Sequence, residues 1–326
     1  MKKLTIIIPV YNAEKTIIEA LESIRNNKHY EKYQDNIQVI IVDDGSKDQS
    51  VNLIKRYIEK KENFLLIEKE NSGAANTRNV GLDKVKEGYI AFLDSDDTYT
   101  ENFLDKVFFN LSEQVIYIYN ITYVDENNSQ LLLNLKEDIH REVDKEFIIK
   151  YLQNGDFIAP SVVNKIYNAD IINQHNIRFM PDLKYGEDLF FNLQYLQYVQ
   201  NAKLDNEALY KYNANQSSTM HTIKLEDKKY FDYLLNQLEQ YIEKNEISQK
   251  YIYLMYFKYM VLIINAILKT KESFWLKWKQ VNTVLNEEKM IQNIAYIDSK
   301  ELNIKRKIIY WLYKLKFYVR RKKDGR

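Results

Sequence analysis

Asp94, Asp96 and Asp97 crowd three carboxylates into the junction where the apolar run Tyr89-Ile90-Ala91-Phe92-Leu93 ends. Like charges that close repel, and a fold keeps them chiefly where a cation sits among them. An apolar strand ending in Asp-x-Asp therefore points to a divalent cation held by hard oxygen ligands, with a bound phosphate completing the shell. A solvated Asp-rich turn is the plainer alternative. A second acidic pair, Asp43-Asp44, closes the apolar run from Ile37 to Val42. A third, Glu187-Asp188, follows Gly186 and opens the apolar helical stretch from Leu189 to Leu196. The helix dipole favours ionised acids in a first turn, so stability alone could account for that pair. Adjacent helical residues point about 100° apart, so both carboxylates cannot face one proton.

The surrounding pattern specifies what must hold these groups. Leu4 to Val10 is a nearly continuous apolar run, the mark of a parallel strand buried on both faces. Pro9 has no N–H to continue a ladder, and Tyr11-Asn12 begins a loop. Ala13 to Arg25 shows helical spacing, with Ile17, Ile18, Leu21 and Ile24 on one face. A second helical pattern carries Val51, Leu53, Ile54, Tyr57 and Ile58, and Phe64 to Ile67 reads as a third strand. Asn71 to Asn79 then opens a helix. Alternating strands and helices imply right-handed crossovers and a mostly parallel sheet, with ligands beyond the carboxyl ends of the strands. The polar clusters of the first hundred residues fall at such ends.

Ile-Pro-Val-Tyr-Asn (8–12), Val-Asp-Asp-Gly-Ser (42–46), Asn-x-Gly-x-x-x-x-Arg-Asn (71–79) and Phe-Leu-Asp-Ser-Asp-Asp (92–97), in this order, resemble the family 2 glycosyltransferases with the GT-A fold. The likeness is close over about the first 110 residues. It continues more loosely to about residue 222, through Asn164-Lys165-Ile166-Tyr167 and Tyr185-Gly186-Glu187-Asp188-Leu189. It implies an α/β GT-A nucleotide-sugar-binding fold at 1–222, its mostly parallel sheet flanked by helices. Residues 1–112 would form the nucleotide half and 113–222 the acceptor half. An all-α region at 223–326 would follow.

The resemblance also implies chemistry: transfer of one sugar from a UDP-sugar to a hydroxyl of a glycan acceptor, with inversion and with Mn²⁺ or Mg²⁺ as cofactor. Pro9, Tyr11, Asp43, Asp44, Gly73, Arg78, Asp94 and Ser95 would line the donor site. Tyr11 could stack on uracil and Asp44 accept its N3–H, although Asp43 or Asp44 could instead cap the next helix, with Asp48 nearby. Asp96 would bind the metal directly and Asp94 would lie near the ribose or the metal. Asp97 would cap the helix beginning near Glu101. Arg78 would meet the diphosphate or ribose, or pair with a strand-end Asp. By its match to the family motif, Asp188 is the expected base and Glu187 positions the acceptor. His221 is a candidate metal ligand, since imidazole binds Mn²⁺. His29, His140 and His175 read as surface residues. Lys165 reads as a surface lysine, with contact to phosphate or acceptor as the alternative.

Absences narrow this. Gln-x-x-Arg-Trp, carried by processive synthases of the family, does not follow Asp188, so one sugar per encounter is expected. Neither Gly-x-Gly-x-x-Gly nor a Gly-Lys-Ser/Thr loop occurs, and the chain has only seven glycines. That absence argues against a nucleotidyltransferase; a sugar-nucleotide-binding module without catalysis is the other rival. The 326 residues are 45% hydrophobic, enough for a sizeable core, and contain no cysteine, which suits a cytoplasmic site. Met1-Lys2-Lys3 precedes only a short apolar run, so no signal peptide is expected. Tyr251 to Leu268 is strongly apolar but carries Lys258 and Asn265, and reads as a buried core helix. Residues 301–326 hold ten Lys and Arg against Glu301 and Asp324, net +8 in a chain of net +1. Within them Ile308, Trp311, Leu312, Leu315 and Val319 follow helical spacing. A basic amphipathic helix suits an anionic membrane surface; packing on the body is the alternative. A single basic helix beside an acidic body does not suit nucleic acid. The expected setting is the inner face of the cell membrane, with a peripheral enzyme building surface polysaccharide on a lipid-linked acceptor.

Overall fold

The computed structural model describes residues 2–112, 115–124, 129–131, 139–144, 147, 161–213, 224–248, 250–288, 291, 294–297 and 307–315. The chain divides into two compact units, Met1–Ile148 with Asp156–Gln216, and Ile149–Gly155 with Ser217–Arg326.

The first unit is built on a sheet of ten strands among the described residues. β1 (Leu4–Val10), β2 (Ile37–Asp43), β3 (Phe64–Glu68) and β4 (Tyr89–Phe92) are the four apolar runs expected from sequence. They lie in the order β3-β2-β1-β4, all parallel. The helices between them are α1 (Ile17–Arg25), α2 (Tyr30–Tyr33), α3 (Ser50–Ile58) and α4 (Ala74–Leu82). The first helix begins at Ile17 rather than Ala13. Its buried face is Ile17, Ala20, Leu21 and Ile24.

After β5 (Thr98–Tyr99) and α5 (Phe103–Asn110) the sheet becomes mixed. β6 (Val115–Val124) is followed by two short strands, β7 (Ser129–Leu131) and β8 (Ile139–Glu142). β9 (Lys165–Asn168) sits antiparallel between β4 and β6. The long β10 (Asn201–Asn213) runs parallel to β6 and antiparallel to β5. Thus α/β layering and parallel pairing hold for the first four strands, and the acceptor half adds antiparallel pairs. α6 (Ala169–Gln174) and α7 (Glu187–Leu196) belong to this half.

Two packing features position the site. Gly81 of α4 lies on β1, where a Cβ would meet Ile7 Cγ2 at 2.5 Å, so only glycine lets the helix approach this closely. Beneath the strand ends, Phe92 meets Tyr167, Phe179 and Phe191 edge-on, and Phe179 stacks on Phe191 at 4.2 Å. These aromatic pairs fix α7 against β4 and β9.

The second unit is helical: α8 (Lys228–Lys244), α9 (Lys250–Lys269), α10 (Phe274–Leu285) and α11 over residues 307–315. α9 is long and apolar enough to cross a membrane by length and composition. It packs against α8 and α10, and Ile252, Phe257, Met260, Ile263 and Ile267 are buried. That is the core role expected of this segment. The terminal helix departs from the packing alternative. Its buried face is Ile309, Tyr310 and Tyr313, with Tyr313 donating to the Val284 carbonyl at 2.9 Å. The stripe expected to be packed or lipid-facing, Ile308, Trp311, Leu312 and Leu315, is exposed. Val319 lies outside the described residues.

Candidate active site

Two loops, at the carboxyl ends of β1 and β2, are tied together by short polar contacts. Asp44 N donates to the Val10 carbonyl at 2.8 Å, Asn12 N to Ser46 Oγ at 2.9 Å, and Lys47 N to Asn12 Oδ1 at 2.8 Å. Tyr11 projects from this knot, 51% exposed, with its ring available for stacking. Pro9 lies one residue inside the β1 end, opposite Val42.

The acidic pair at the end of β2 splits into two jobs. Asp43 is buried, and its Oδ2 accepts from Gly45 N and Ser46 N at 3.0 Å, which shapes the turn. Neither acid caps α3, whose N-cap position is Gln49; Asp48, one residue earlier, accepts from Ser50 N at 3.0 Å. Asp44 instead reaches across to the start of α4. Ser72 N and Gly73 N donate to its two oxygens at 2.8 and 2.9 Å, and Lys69 pairs with it. Gly73 has φ +87°, a conformation that a side chain would strain. Burial pushes the Asp44 carboxyl up, but Lys69 and the two amides outweigh it, so the group is held below the usual carboxylate range.

From Gly73 the helix carries Arg78, one and a half turns on, into the centre of the site. Arg78 is buried, and its guanidinium lies 5.4 Å from the Phe179 ring centroid. Nη2 pairs with Asp94 at 2.8 Å; Nη1 faces Asp188 at 3.4 Å and Glu187 at 3.8 Å. Of the two alternatives for Arg78, the ion pair with the strand-end Asp94 is realised. The same fork also gathers both acids of α7, a convergence no sequence pattern announced. Burial would strip the charge, but Asp188, Asp94 and Glu187 hold it firmly.

The two acids of α7 differ in their surroundings. Asp188 Oδ2 accepts from Val162 N at 3.2 Å and Ser161 Oγ at 3.5 Å. Burial raises its carboxyl against the pull of Arg78. Burial together with Asp188 pushes Glu187 up to about 7, again against Arg78. Both acids keep roughly a quarter of their side-chain surface exposed, 22% and 23%. Both are reachable, and both carboxyls are raised, the direction expected of acids that exchange protons in a site.

Asp94, Ser95 and Asp96 are half-buried in the turn after β4. Asp97 is not a helix cap. It is buried and accepts from Tyr210 Oη at 2.7 Å and Asn213 N at 2.8 Å. Burial and the neighbouring Asp94 and Asp96 push it up to about 8. Asn213 also donates through Nδ2 to the Asp96 carbonyl at 2.9 Å, so the end of β10 buttons down the acidic turn. His221 lies outside the described residues.

Lys165 is not a surface lysine. It has no exposed surface, and its Nζ donates to the Ser161 carbonyl at 2.5 Å and to Asn164 Oδ1 at 2.8 Å. The turn it closes is the one that offers Val162 N–H to Asp188. Burial drives its pKa down to about 7 against the attraction of Asp188. A lysine inside the apolar run Val162-Val163-Asn164-Lys165-Ile166 was the signal available in the sequence. Nothing in the sequence marked Val162, whose contribution is a backbone amide. Of the other histidines, His29 pairs with Asp105 at 2.7 Å and His175 stacks on Tyr198.

Comparison with known proteins agrees with this geometry. The chain resembles the teichoic acid poly(glycerol phosphate) polymerase of Staphylococcus epidermidis, 35% identical over 211 residues, 61% of this chain and 26% of that one. It also resembles the poly(ribitol-phosphate) beta-N-acetylglucosaminyltransferase TarP of Staphylococcus aureus, 28% identical over 260 residues, 76% of this chain and 74% of that one. The chain spans between 26% and 61% of the length of the first curated relatives it matches. Among solved structures, residues 1–349 of S. aureus TarS with UDP-GlcNAc superpose with a TM-score of 0.71 at 20% identity, covering 99% of this chain and 92% of that one. That likeness shows a shared GT-A fold. Residues 5–175, just over half of the chain, match the family described as glycosyl transferase family 2, and the chain belongs to that family.

Proposed function

We propose that this protein transfers one sugar from a UDP-sugar to a hydroxyl of a glycan acceptor, inverting the anomeric carbon, in the synthesis of a teichoic-acid-type or related surface polysaccharide. The observation that carries this reading is the fork of Arg78, which pairs with Asp94 and faces Asp188, the acids this reading assigns to donor and acceptor. The relatives named for teichoic acid chemistry and the UDP-GlcNAc in the TarS structure support the choice of donor class and product.

In this reading Tyr11 stacks on uracil, and Asp44, fixed by Lys69 and the start of α4, accepts its N3–H. Pro9, Asp43, Gly73 and Ser95 shape the same pocket. Asp188 takes the proton of the attacking hydroxyl on the face of the sugar opposite the leaving group. Its raised pKa strengthens it as a base, and Arg78 keeps enough of it ionised to act. Glu187, near neutrality, can donate to or accept from the acceptor hydroxyl and so orient it.

The residues fit Mg²⁺ or Mn²⁺. Asp96 and Asp94 offer hard carboxylate oxygens in a half-buried turn, and Arg78 occupies one oxygen of Asp94; the match to the family motif makes Asp96 the direct ligand in this reading. Among the described residues no three metal-ligating side chains converge. A site built on one or two carboxylates plus substrate phosphates needs no more. When bound, the cation supplies Lewis-acid neutralisation of the charge that develops on the departing diphosphate. His221 remains a proposed further ligand. The acceptor is proposed to be lipid-linked, and the protein to be peripheral on the cytoplasmic face of the membrane, drawn there by the basic residues 301–326.

Incubation with UDP-sugars and Mn²⁺ tests the reading. Slow UDP release supports transfer. Binding without release would favour a non-catalytic sugar-nucleotide module, and formation of UTP and sugar 1-phosphate on adding pyrophosphate would favour a nucleotidyltransferase.

A further inference from the structure

The helical unit carries an exposed aromatic tip. From Leu268 to Leu276, across the end of α9 and the first turn of α10, every residue is exposed. Phe274 is 72% exposed, Trp275 77% and Trp278 50%. Proteins seldom leave such large apolar side chains in water without use, least of all together on one element. The tip is nevertheless well ordered. Ser273 Oγ caps α10 by accepting from Leu276 N at 3.4 Å, and Lys277 Nζ donates to the Leu268 carbonyl at 3.1 Å. The buried anchor of α10 is its far half, Val281, Val284 and Leu285. Lys269, Lys271, Lys277 and Lys279 surround the rings against Glu272, a local net charge of +3 read from the sequence.

We propose that this helical hairpin tip is a membrane-contacting element that inserts Phe274, Trp275 and Trp278 into the headgroup region of an anionic bilayer. Indole and phenyl rings ringed by lysine match the chemistry of that zone, where aromatic rings settle at the apolar boundary and lysine meets lipid phosphate. Charge decides among occupants: a second copy of this chain would bring the same four lysines against these four. The inference deepens the membrane reading above and rests on it, but assigns the contact to residues outside the basic tail. Trp311 of α11, 62% exposed, is the only other tryptophan in the chain.

Since all three tryptophans are exposed, intrinsic emission reports on the contact directly. The full chain is mixed with vesicles of phosphatidylglycerol or of phosphatidylcholine, and emission and co-sedimentation are followed. The expected result is a blue shift on phosphatidylglycerol vesicles. Partitioning should fall at least about tenfold in the Phe274→Ser/Trp275→Ser double variant, because the lost rings supply the buried apolar area. Circular dichroism and UDP release from soluble donor should be unchanged, as neither residue packs in a core. If the double variant binds vesicles as the wild type does, and only removal of residues 304–326 releases it, the tail reading stands and this inference falls. Absence of any vesicle binding by the wild type overturns both. Concentration-dependent self-association that the double variant abolishes would assign the tip to a second copy and overturn the inference.

Discussion

Replacing Arg78 with methionine deletes the cation that touches Asp94, Glu187 and Asp188 together. Removing one partner of a buried ion pair costs about 3–5 kcal/mol, because the remaining charge is left uncompensated. The three carboxylates retain between 22% and 32% exposure, so water recovers part of that, and about 3 kcal/mol is expected near neutral pH. The penalty depends on pH, and its sign follows from the carboxyls. Glu187 and Asp188 already titrate above their ordinary values in the folded protein. Without Arg78 they rise further, so the folded variant binds more protons than its unfolded chain over roughly pH 4 to 8. Its stability therefore falls as pH rises through that window. Urea denaturation should show the gap to wild type narrowing to about 1 kcal/mol near pH 5. Arg78→Lys keeps a charge but not the fork, and should fall between the two, losing about 1–2 kcal/mol. A gap that stays constant across this range would refute the claim that Arg78 acts by compensating these acids.

Asp188→Asn should lower turnover by about 10²–10⁴ while UDP-sugar affinity stays near wild type, measured by UDP release and calorimetry. Equal loss in Glu187→Gln would leave the division of labour between the two acids unsupported. Asp96→Asn should fold normally but lose most activity, and EDTA should reproduce the loss in wild type; undiminished activity after chelation would exclude the proposed metal dependence. Lys165 has its folded pKa lowered from 10.5 to about 7, so the unfolded chain binds the extra proton between those values. Wild-type stability should rise with pH across that window, and Lys165→Met should lack that rise in denaturation midpoints measured at intervals through it.

The parallel half of the fold was legible because its central strands are buried on both faces, and all four read as apolar runs, from Leu4, Ile37, Phe64 and Tyr89. The acidic turns were legible because each closes such a run. Three things were not. The antiparallel insertion of β9 depends on pairing across about 75 residues, which local patterning does not encode. Lys165 was misread because its burial is decided by the carbonyl of Ser161 and the side chain of Asn164, partners that only a folded turn supplies. In α11 the spacing of Ile308, Leu312 and Leu315 suggested a lipid-facing stripe, or alternatively the packed face. Two tyrosines and Ile309 fill it instead, since an aromatic ring buries more area than a leucine and Tyr313 also satisfies its hydroxyl there.

Helix α4 can be read as a gauge. The amides of Ser72 and Gly73, just before its first turn, grip Asp44, and five residues after Gly73 Arg78 grips Asp94 and faces Asp188. At about 1.5 Å per residue this sets a step of about 7–8 Å along a rigid rod, between the residue whose amide holds Asp44 and the residue whose guanidinium gathers Asp94, Glu187 and Asp188. Lengthening or shortening that interval by one residue would turn the guanidinium by about 100° and aim it away from them. Substitution can therefore vary the surroundings of these acids freely only while the interval from Gly73 to Arg78 keeps its length.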